Sequence, residues 1–189
     1  LDHRAAEILA KTAPFWVNYF DRFTYAKPAN VLEPPFAREG GWGFASGGHF
    51  NLADDEALIV TLDPQGAGYL GFQLADPWGV APEYADRNGS LNQSQAKPNA
   101  DGTYTYVISA KDPGVYNWLD PSGLDAGLFT VRWQAVPASA KADQAVREVR
   151  VVKLSALKGA LPRGTVFVTA EDRKAQLEER ARSYARRLE

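Results

Sequence analysis

The chain has 189 residues, a formal net charge of −2 and no cysteine. A domain of this size buries about 70% of the surface that its unfolded chain exposes, so a hydrophobic core can form without disulfides. The lack of cysteine excludes disulfide bonds and thiolate metal sites. Between Asp76 and Asp125 seven acidic residues face three basic ones, which argues against a nucleic-acid-binding surface.

The sequence also bears on membrane insertion and export. No apolar run reaches the roughly 18 to 20 residues that span a bilayer, and no signal peptide is visible. The chain starts at Leu1 and has no methionine, so we expect that an upstream piece was removed, and a targeting signal could have gone with it. The compartment is left open, with the cytoplasm preferred.

The N-terminal residues 2–23 are predicted to form a helix in two pieces, with Asp2 as the first cap. Pro14 fits the first turn of the second piece, where its missing N–H is harmless. That piece carries an apolar stripe with spacing i, i+3, i+4, i+7: Trp16, Tyr19, Phe20 and Phe23. We expect this aromatic stripe to pack on a sheet, on a missing N-terminal domain or on a second copy of the chain.

The pattern changes after a proline-rich extended linker at residues 25–36. From Gly40 onward the apolar residues follow a period of two, which predicts six short strands: WGFASGGHFNL, EALIVTL, GYLGFQL, TYTYVISA, LFTVRWQ and REVRVVKL. Short strands with tight turns are typical of an antiparallel sandwich, jelly-roll-like or otherwise Greek key. The run EALIVTL is apolar on both faces, so we expect it to be central and covered on both sides.

Turn chemistry suggests how neighbouring runs connect. DPQGAG, between EALIVTL and GYLGFQL, is predicted to be a hairpin-type turn. The polar segment SLNQSQA is predicted to pair with TYTYVISA. The glycines of GGWGFASGG lead into strands and not into a helix, so we expect them to allow a backbone bend or the close packing of an aromatic ring.

The C-terminal segment is predicted to be an amphipathic helix. Thr169 and Asp172 form a capping box at its start. Its apolar stripe is thin and the rest is charged, so we expect an exposed helix that rests lightly on the sandwich; the stripe is Leu177, Ala181, Tyr184 and Leu188. The predicted organisation is a helical segment with linker over 1–39, a β-sandwich over 40–168 and this helix over 169–189.

Metal and nucleophile motifs are sparse. His3 and His49 are the only histidines and do not form a spaced pair, so no metal site and no cofactor is predicted, and catalytic residues stay unknown. His49 is retained as a minor general-base candidate. Loop carboxylates such as Asp112 and Asp120 leave a calcium site or a paired-carboxylate hydrolase open as alternatives.

The most distinctive pattern combines aromatic rings with uncharged amides and one arginine in two loop regions. Such residues suit an apolar pocket with a few orienting polar groups. The candidate ligand-binding residues, at one end of the sandwich, are Trp78, Tyr84, Arg87, Asn92, Asn117, Trp118 and Asp120. Alternatively, Arg87 pairs with Asp112 or Asp120 and pins two loops together, which we prefer.

Several segments in order resemble the bacterial family called domain of unknown function 1214: GGHFNLADDEALIVTL, YLGFQLADPWG, RNGSLNQSQAKPNADGTYTYVISAKDPGVYNWLDPSG and GLFTVRWQ. The resemblance covers about residues 40–187, with Tyr116 standing where the family more often has proline. It implies a jelly-roll-like C-terminal domain, which in larger relatives follows another domain. It implies no activity and brings no catalytic residue.

Three functions follow from these patterns. The first is a sandwich that binds a small, partly apolar ligand of aromatic, steroidal or glycosidic character. The second is a structural or interaction module in which the loop residues satisfy one another. The third is a carboxylate-based hydrolase, with or without a divalent ion. Burial separates the first two, because residues of a structural clasp should be buried and mutually hydrogen-bonded, whereas pocket residues should line a cavity.

Overall fold

The computed structural model describes residues 3–186, so the predicted roles of Asp2 and Leu188 lie outside the described residues. Its helices are α1 (His3–Phe20), α2 (Leu157–Ala160) and α3 (Ala170–Ala185), and a π-helical turn covers Asp21–Tyr25. The strands within this range are β1 (Phe36–Ala37), β2 (Phe44–Asn51), β3 (Glu56–Leu62), β4 (Tyr69–Ala75), β5 (Ser90–Asn92), β6 (Tyr104–Ile108), β7 (Trp118–Leu119), β8 (Ala126–Gln134) and β9 (Val146–Lys153).

The strands form two sheets that pack face to face. The five-stranded sheet has the order β1-β2-β8-β4-β5 and the four-stranded sheet the order β7-β6-β3-β9. Pairing is antiparallel except between β6 and β7. Inward-facing residues of both sheets make one apolar cluster, which includes Phe50, Leu58, Val60, Phe72, Tyr106, Phe129 and Trp133. The prediction of a mainly β, antiparallel sandwich with helices at both ends is confirmed at this level.

Strand β3 lies at the centre of the four-stranded sheet, as its sequence predicted. Leu58 and Val60 face the five-stranded sheet, whereas Ile59 faces the opposite side. That opposite side is covered by the segment after β9, where Leu157 and Leu161 pack. Because both faces exclude water, an apolar residue at nearly every position of this strand contributes to burial.

Helix α1 differs from the prediction of two pieces. It runs without a break from His3 to Phe20, with Pro14 inside it. Proline removes one backbone donor, which leaves the carbonyl of Ala10 without its helical partner. Ala10 is exposed, so water can bind that carbonyl, and an exposed helix can adjust around the proline ring. No helix within residues 3–186 has both the length and the apolar character needed to cross a bilayer.

The aromatic stripe of α1 is formed but is largely exposed, although Phe20 reaches the loop after β4, where a Cβ on Gly79 would lie 3.3 Å from its ring. None of the residues of α1 is buried, and Trp16 and Phe23 are 47% and 55% exposed. The rings pack on one another, with 5.7 Å between the centroids of Trp16 and Tyr19 and 5.3 Å between those of Tyr19 and Phe23. Tyr25 also anchors this segment to the sandwich, since its hydroxyl donates to the carbonyl of Pro77 at 2.5 Å.

The proline-rich linker becomes part of the sandwich. Its last residue, Phe36, forms β1 together with Ala37 and lies opposite Ala45 of β2. Leu32 is buried in the main apolar cluster, and the carbonyl of Glu33 accepts the hydroxyl of Ser46. Prolines here are compatible with an edge position, because an edge strand needs fewer backbone donors.

Two pairing predictions are wrong for the same reason. The segment SLNQSQA does not pair with β6, since its residues 90–92 form β5 and pair with β4. Likewise DPQGAG is not a hairpin turn, because β3 and β4 belong to different sheets. Both edges of β6 are already occupied, by β3 and by the parallel β7, and both edges of β3 are occupied by β6 and β9. The chain must therefore cross to the other sheet.

The glycines at the start of β2 serve close packing, as expected. Gly43 has φ of +83°, and a Cβ there would overlap the carbonyl oxygen of Trp133. A Cβ on Gly48 would lie 2.9 Å from the ring of Phe129. Gly43 thus needs to be glycine for two separate reasons, backbone conformation and space.

A matched pair of substitutions separates these two reasons. Gly41 also has a positive φ of +75°, but a Cβ added there would meet no atom within 4 Å. We expect Gly41→Ala to cost about 1 to 2 kcal/mol from backbone strain alone. Gly43→Ala should cost a further 1 to 3 kcal/mol or so, because the new methyl group overlaps β8. Urea unfolding followed by fluorescence measures both, and equal losses would contradict the steric contact.

Candidate functional site

The loop of residues 112–123, called the clasp loop here, is fixed by the side chain of Asn117. Its Oδ1 accepts the backbone N–H of Lys97 at 2.8 Å. Its Nδ2 donates to the carbonyls of Lys97 at 2.8 Å and Thr105 at 3.0 Å. Asn117 is buried, so these three bonds use most of the hydrogen-bonding capacity of its amide. The amide therefore joins the clasp loop, the segment before β6 and β6 itself.

Trp118 follows in β7 and is also turned inward. Its side chain is 7% exposed, and its Nε1 donates to the carbonyl of Ser109 at 3.0 Å. The guanidinium of Arg173 lies 5.2 Å from the centroid of the ring, which is a cation–π distance. The ring thus packs between the edge of the four-stranded sheet and α3.

Asp120 connects the clasp loop to the loop between β4 and β5. Its Oδ1 accepts the backbone N–H of Ser122 at 2.7 Å, and its Oδ2 accepts Nη1 of Arg87 at 3.1 Å. This confirms the pairing predicted for Arg87. The guanidinium is half exposed, so the ion pair itself adds little stability, and its main effect is to hold two loops in register.

Sequence reasoning missed Arg173 of α3, which is 5% exposed. Its guanidinium donates to both carboxylate oxygens of Asp112, at 2.8 and 3.2 Å. It also donates to the carbonyls of Val115 and Tyr116, the latter at 3.3 Å. A cation in this setting replaces the hydration of the loop carbonyls with charge-assisted hydrogen bonds.

Arg180, two turns later, makes a second buried anchor. Its Nε donates to the carbonyl of Tyr84 at 2.6 Å, and its Nη atoms donate to the carbonyl and hydroxyl of Ser90 at 2.8 and 3.0 Å. The expectation that α3 rests lightly on the sandwich is therefore wrong. A signal existed, since Arg173, Gln176 and Arg180 repeat at i, i+3 and i+7, but arginine is normally taken as solvent-facing.

The seven candidate residues do not line one cavity. Asn117, Trp118 and Asp120 are buried and bonded as a clasp. Trp78 is 63% exposed, next to a turn closed by Asp76. Tyr84 is 53% exposed, and its ring lies 5.0 Å from that of Tyr184, centroid to centroid. Ligand binding by any of these seven residues stays a prediction.

Asn92 belongs to a different feature, a groove on the outer face of the five-stranded sheet. Its Oδ1 accepts the backbone N–H groups of Ser94 and Gln95, which turns the chain after β5. The groove encloses about 460 Å³, within the range of small-molecule sites. This sheet groove is lined by Tyr69, Gly71, Phe72, Gln73, Ser90, Leu91, Asn92, Gln95, Thr130, Arg132 and Tyr184.

Strand register explains why the sheet groove is polar. Gln73 lies directly opposite Thr130 on one side and Ser90 on the other. Two residues along the strand, Gly71 lies between Arg132 and Asn92. Residues directly opposite in antiparallel strands point to the same face, so these two rows form a continuous surface.

The sheet groove has a positive end. Arg132 lies part-buried in it, and burial together with the nearby charge of Arg38 lowers the pKa of Arg132. The guanidinium stays protonated, because even a lowered arginine pKa lies far above neutrality. Arg38 follows β1, and its backbone N–H donates to the carbonyl of Gly43. Strand register places both arginines on the outer face. Ala45 pairs with Arg132 on one side and with Phe36 on the other, so these three residues point to the same face. Arg38 comes two residues after Phe36 and therefore shares that face.

The loop carboxylates proposed for hydrolysis form turns. Asp76 accepts the N–H groups of Trp78 and Val80, and Glu83 accepts that of Ala85. Within residues 3–186 no group of three or more His, Asp or Glu side chains is arranged to hold a metal ion. The Nε2 atom of His49 lies 2.9 Å from the carbonyl of Lys27. The hydrolase hypothesis is not tested by these contacts.

Comparisons with known proteins bear on the fold. No family model and no curated protein matches the chain. The structure of an uncharacterised protein from Burkholderia cenocepacia is similar, with 28% identity over 81% of this chain and a TM-score of 0.63. A protein from Vibrio parahaemolyticus aligns at 20% identity over 60% of this chain, with a TM-score of 0.42. The chain spans 42% and 33% of their respective lengths.

The clasp can be tested with two asparagine-to-aspartate changes of equal size. Asn117→Asp replaces a buried donor to two carbonyls with a carboxylate oxygen, so we expect a loss of about 3 to 5 kcal/mol. Asn92→Asp keeps the accepting oxygen that closes its turn, so the loss should stay below about 1 kcal/mol. Chemical denaturation at pH 7 measures both, and similar losses would contradict the role of Asn117 in joining these segments.

Proposed function

We propose that the chain is a β-sandwich module that binds a small, partly apolar ligand in the sheet groove. A single observation carries this proposal: the register of three strands aligns Thr130, Gln73 and Ser90 in one outward-facing row. A site on paired strands is held more rigidly than one on loops, which lowers the entropy cost of binding. The clasp serves this site indirectly by fixing the loops at its edge.

The lining of the sheet groove favours a glycosidic ligand. Gln73 and Thr130 make no side-chain hydrogen bonds to other residues of the range 3–186, so both can bond to ligand hydroxyls. The rings of Tyr69 and Tyr184 offer apolar faces at the same groove. Uncharged polar groups beside aromatic faces match a sugar ring, which has hydroxyls at its rim and C–H groups on its faces.

The finer fold class supports the same picture. We infer a jelly-roll-like sandwich, as in the family called domain of unknown function 1214 that the sequence resembles. In support, β8 enters between β2 and β4, and the chain changes sheet from β2 to β3, from β3 to β4, from β5 to β6, from β7 to β8 and from β8 to β9. Such repeated crossing is typical of jelly rolls and leaves one sheet face open as a binding surface.

An interaction module is a second candidate, favoured by the aromatic stripe of α1. Exposed aromatic residues this close together are uncommon on a surface that contacts only water. Phe15, Trp16, Tyr19 and Phe23 are each more than 40% exposed. A second copy of the chain would cover both stripes at once, because a two-fold axis places identical surfaces against each other.

The sheet groove is tested by titrating phenyl β-D-glucoside into the ¹⁵N-labelled chain and following amide NMR shifts. We expect the shifts to concentrate at Gly71, Gln73, Ser90 and Thr130, the residues that line the groove. Tyr69→Ala should weaken binding about five- to tenfold, because it removes an aromatic face from the site. Tyr19→Ala is the control, since Tyr19 is exposed to the same degree, 43% against 41%, but lies on α1.

Two results of this titration would count against the proposal. The first is a set of shifts that avoids β4, β5 and β8. The second is an equal loss of affinity in Tyr69→Ala and Tyr19→Ala. A thermal melt of each variant shows whether Tyr69→Ala changes the fold, because the ring of Tyr69 packs over Gly71.

The interaction module predicts a concentration-dependent dimer. The double variant Trp16→Ser and Phe23→Ser removes two exposed rings from the aromatic stripe. We expect it to shift the mass measured by light scattering from dimer to monomer while leaving the far-UV circular dichroism spectrum of the folded chain unchanged, since neither residue is buried. A monomeric parent chain at 100 µM or so would contradict this candidate.

A further inference from the structure

Arg132 is the charged group that lines the sheet groove, and no acidic side chain within residues 3–186 forms an ion pair with it. Within residues 3–186 its guanidinium makes no ion pair and no side-chain hydrogen bond. By comparison, the guanidinium groups of the two buried arginines of α3, Arg173 and Arg180, donate hydrogen bonds to other residues. A guanidinium has five donors in a planar fork, so Arg132 presents an unused and directional binding group.

A second arginine near Arg132 strengthens the argument that Arg132 binds an anion. Arg38 lies on the same outer face and contributes, after burial, to the lowered pKa of Arg132, and it too has no acidic partner within the described range. Two like charges near one another, one of them part-buried, are costly unless an anion joins them. The whole chain carries a net charge of −2, so a paired cluster of uncompensated arginines is not the result of a generally basic surface.

The space beside Arg132 is shaped for a ligand. Directly opposite Arg132, Gly71 lies between Arg132 and Asn92 and has no side chain. The ring of Tyr69 covers this position, because its hydroxyl end lies where a Cβ on Gly71 would be. A group that reaches the guanidinium would therefore lie along the ring of Tyr69, with the side chains of Asn92 and Gln73 beside it.

We propose that the sheet groove selects ligands that carry a carboxylate, and that Arg132 binds this carboxylate through its guanidinium fork. This inference rests on the proposed function, because it names the ligand class of the same groove. One planar fork matches the two oxygens of a carboxylate. Arg38 strengthens the local positive potential without lining the groove. The ligand class is an acidic glycoside, in which a uronic-acid carboxylate replaces the primary hydroxyl.

A matched ligand pair tests the inference. Phenyl β-D-glucuronide and phenyl β-D-glucoside differ only in that a carboxylate replaces a CH₂OH group. Titration calorimetry on the full chain should give the glucuronide a Kd about tenfold lower than that of the glucoside, as a hydrogen-bonded charge pair provides. Arg132→Gln should abolish this preference, so that the variant binds the two ligands with Kd values within about twofold of each other.

Control variants separate local from general effects. Arg163→Gln removes an equal charge from an exposed site beside the four-stranded sheet, so the tenfold preference should persist. Arg132→Lys keeps the charge but loses the fork, and we expect it to retain only part of the preference. A thermal melt of Arg132→Gln tests whether the sandwich is intact. We expect an unchanged melt, because the side chain of Arg132 points outward and makes no hydrogen bond within residues 3–186.

The outcomes are distinguishable. If both ligands bind the parent chain equally, the carboxylate inference falls and the binding function of the sheet groove stands. If the glucuronide preference survives Arg132→Gln, the inference falls as well, because another group then recognises the carboxylate. If neither ligand binds, the proposed function falls and the inference falls with it.

Discussion

Two buried guanidinium groups on α3 hold the loops of this sandwich in place. Arg173 bonds to Asp112 and to carbonyls of the clasp loop, and Arg180 bonds to Tyr84 and Ser90 on the other side. A buried cation is stable only if its donors are used, and removing its partners typically costs about 3 to 5 kcal/mol. Helix α3 is therefore a structural part of the sandwich. Its anchoring of Ser90 also fixes β5, the outer strand of the sheet groove.

The capping box of α3 shows how local and long-range constraints combine. The hydroxyl of Thr169 accepts the N–H of Asp172, and the carboxylate of Asp172 accepts the N–H of Thr169, which lowers the pKa of Asp172. This sets the residue at which the helix starts. Two arginines seven residues apart lie on the same face of a helix, so Arg173 and Arg180 can both face the sandwich.

Strand positions could be predicted from the sequence, whereas strand partners could not. The short apolar runs bounded by turn residues indicate where β2, β3, β4, β6, β8 and β9 lie. A turn such as DPQGAG shows only where the chain changes direction. Which sheet the chain enters next depends on whether the edges of β3 and β6 are occupied, and that depends on strands distant in sequence. The parallel pairing of the two-residue β7 with β6 had no local signal and displaced SLNQSQA to the other sheet.

The candidate site also has features that the sequence could predict and features that it could not. The burial of Trp118 follows from a large ring placed within turn-forming residues, so the sequence could indicate that the clasp loop folds inward. The bonds of Asn117 to Lys97 and Thr105 required the fold, since these two residues precede it by 20 and 12 positions. The sheet groove could not be predicted from the sequence, because Gln73 and Thr130 become neighbours only through the register of β4 and β8.

Gly71 connects the stability of the five-stranded sheet with the proposed site. Glycine inside a strand costs about 1 kcal/mol relative to alanine, because it loses more conformational freedom and packs no side chain. Here the ring of Tyr69 covers the gap, where any Cβ on Gly71 would overlap it, so the tyrosine shields the backbone that glycine exposes. The same contact places the ring of Tyr69 over the strand position directly opposite Arg132. The arrangement that compensates for glycine in a strand thereby creates the apolar wall of the groove, and a larger residue at position 71 would remove both.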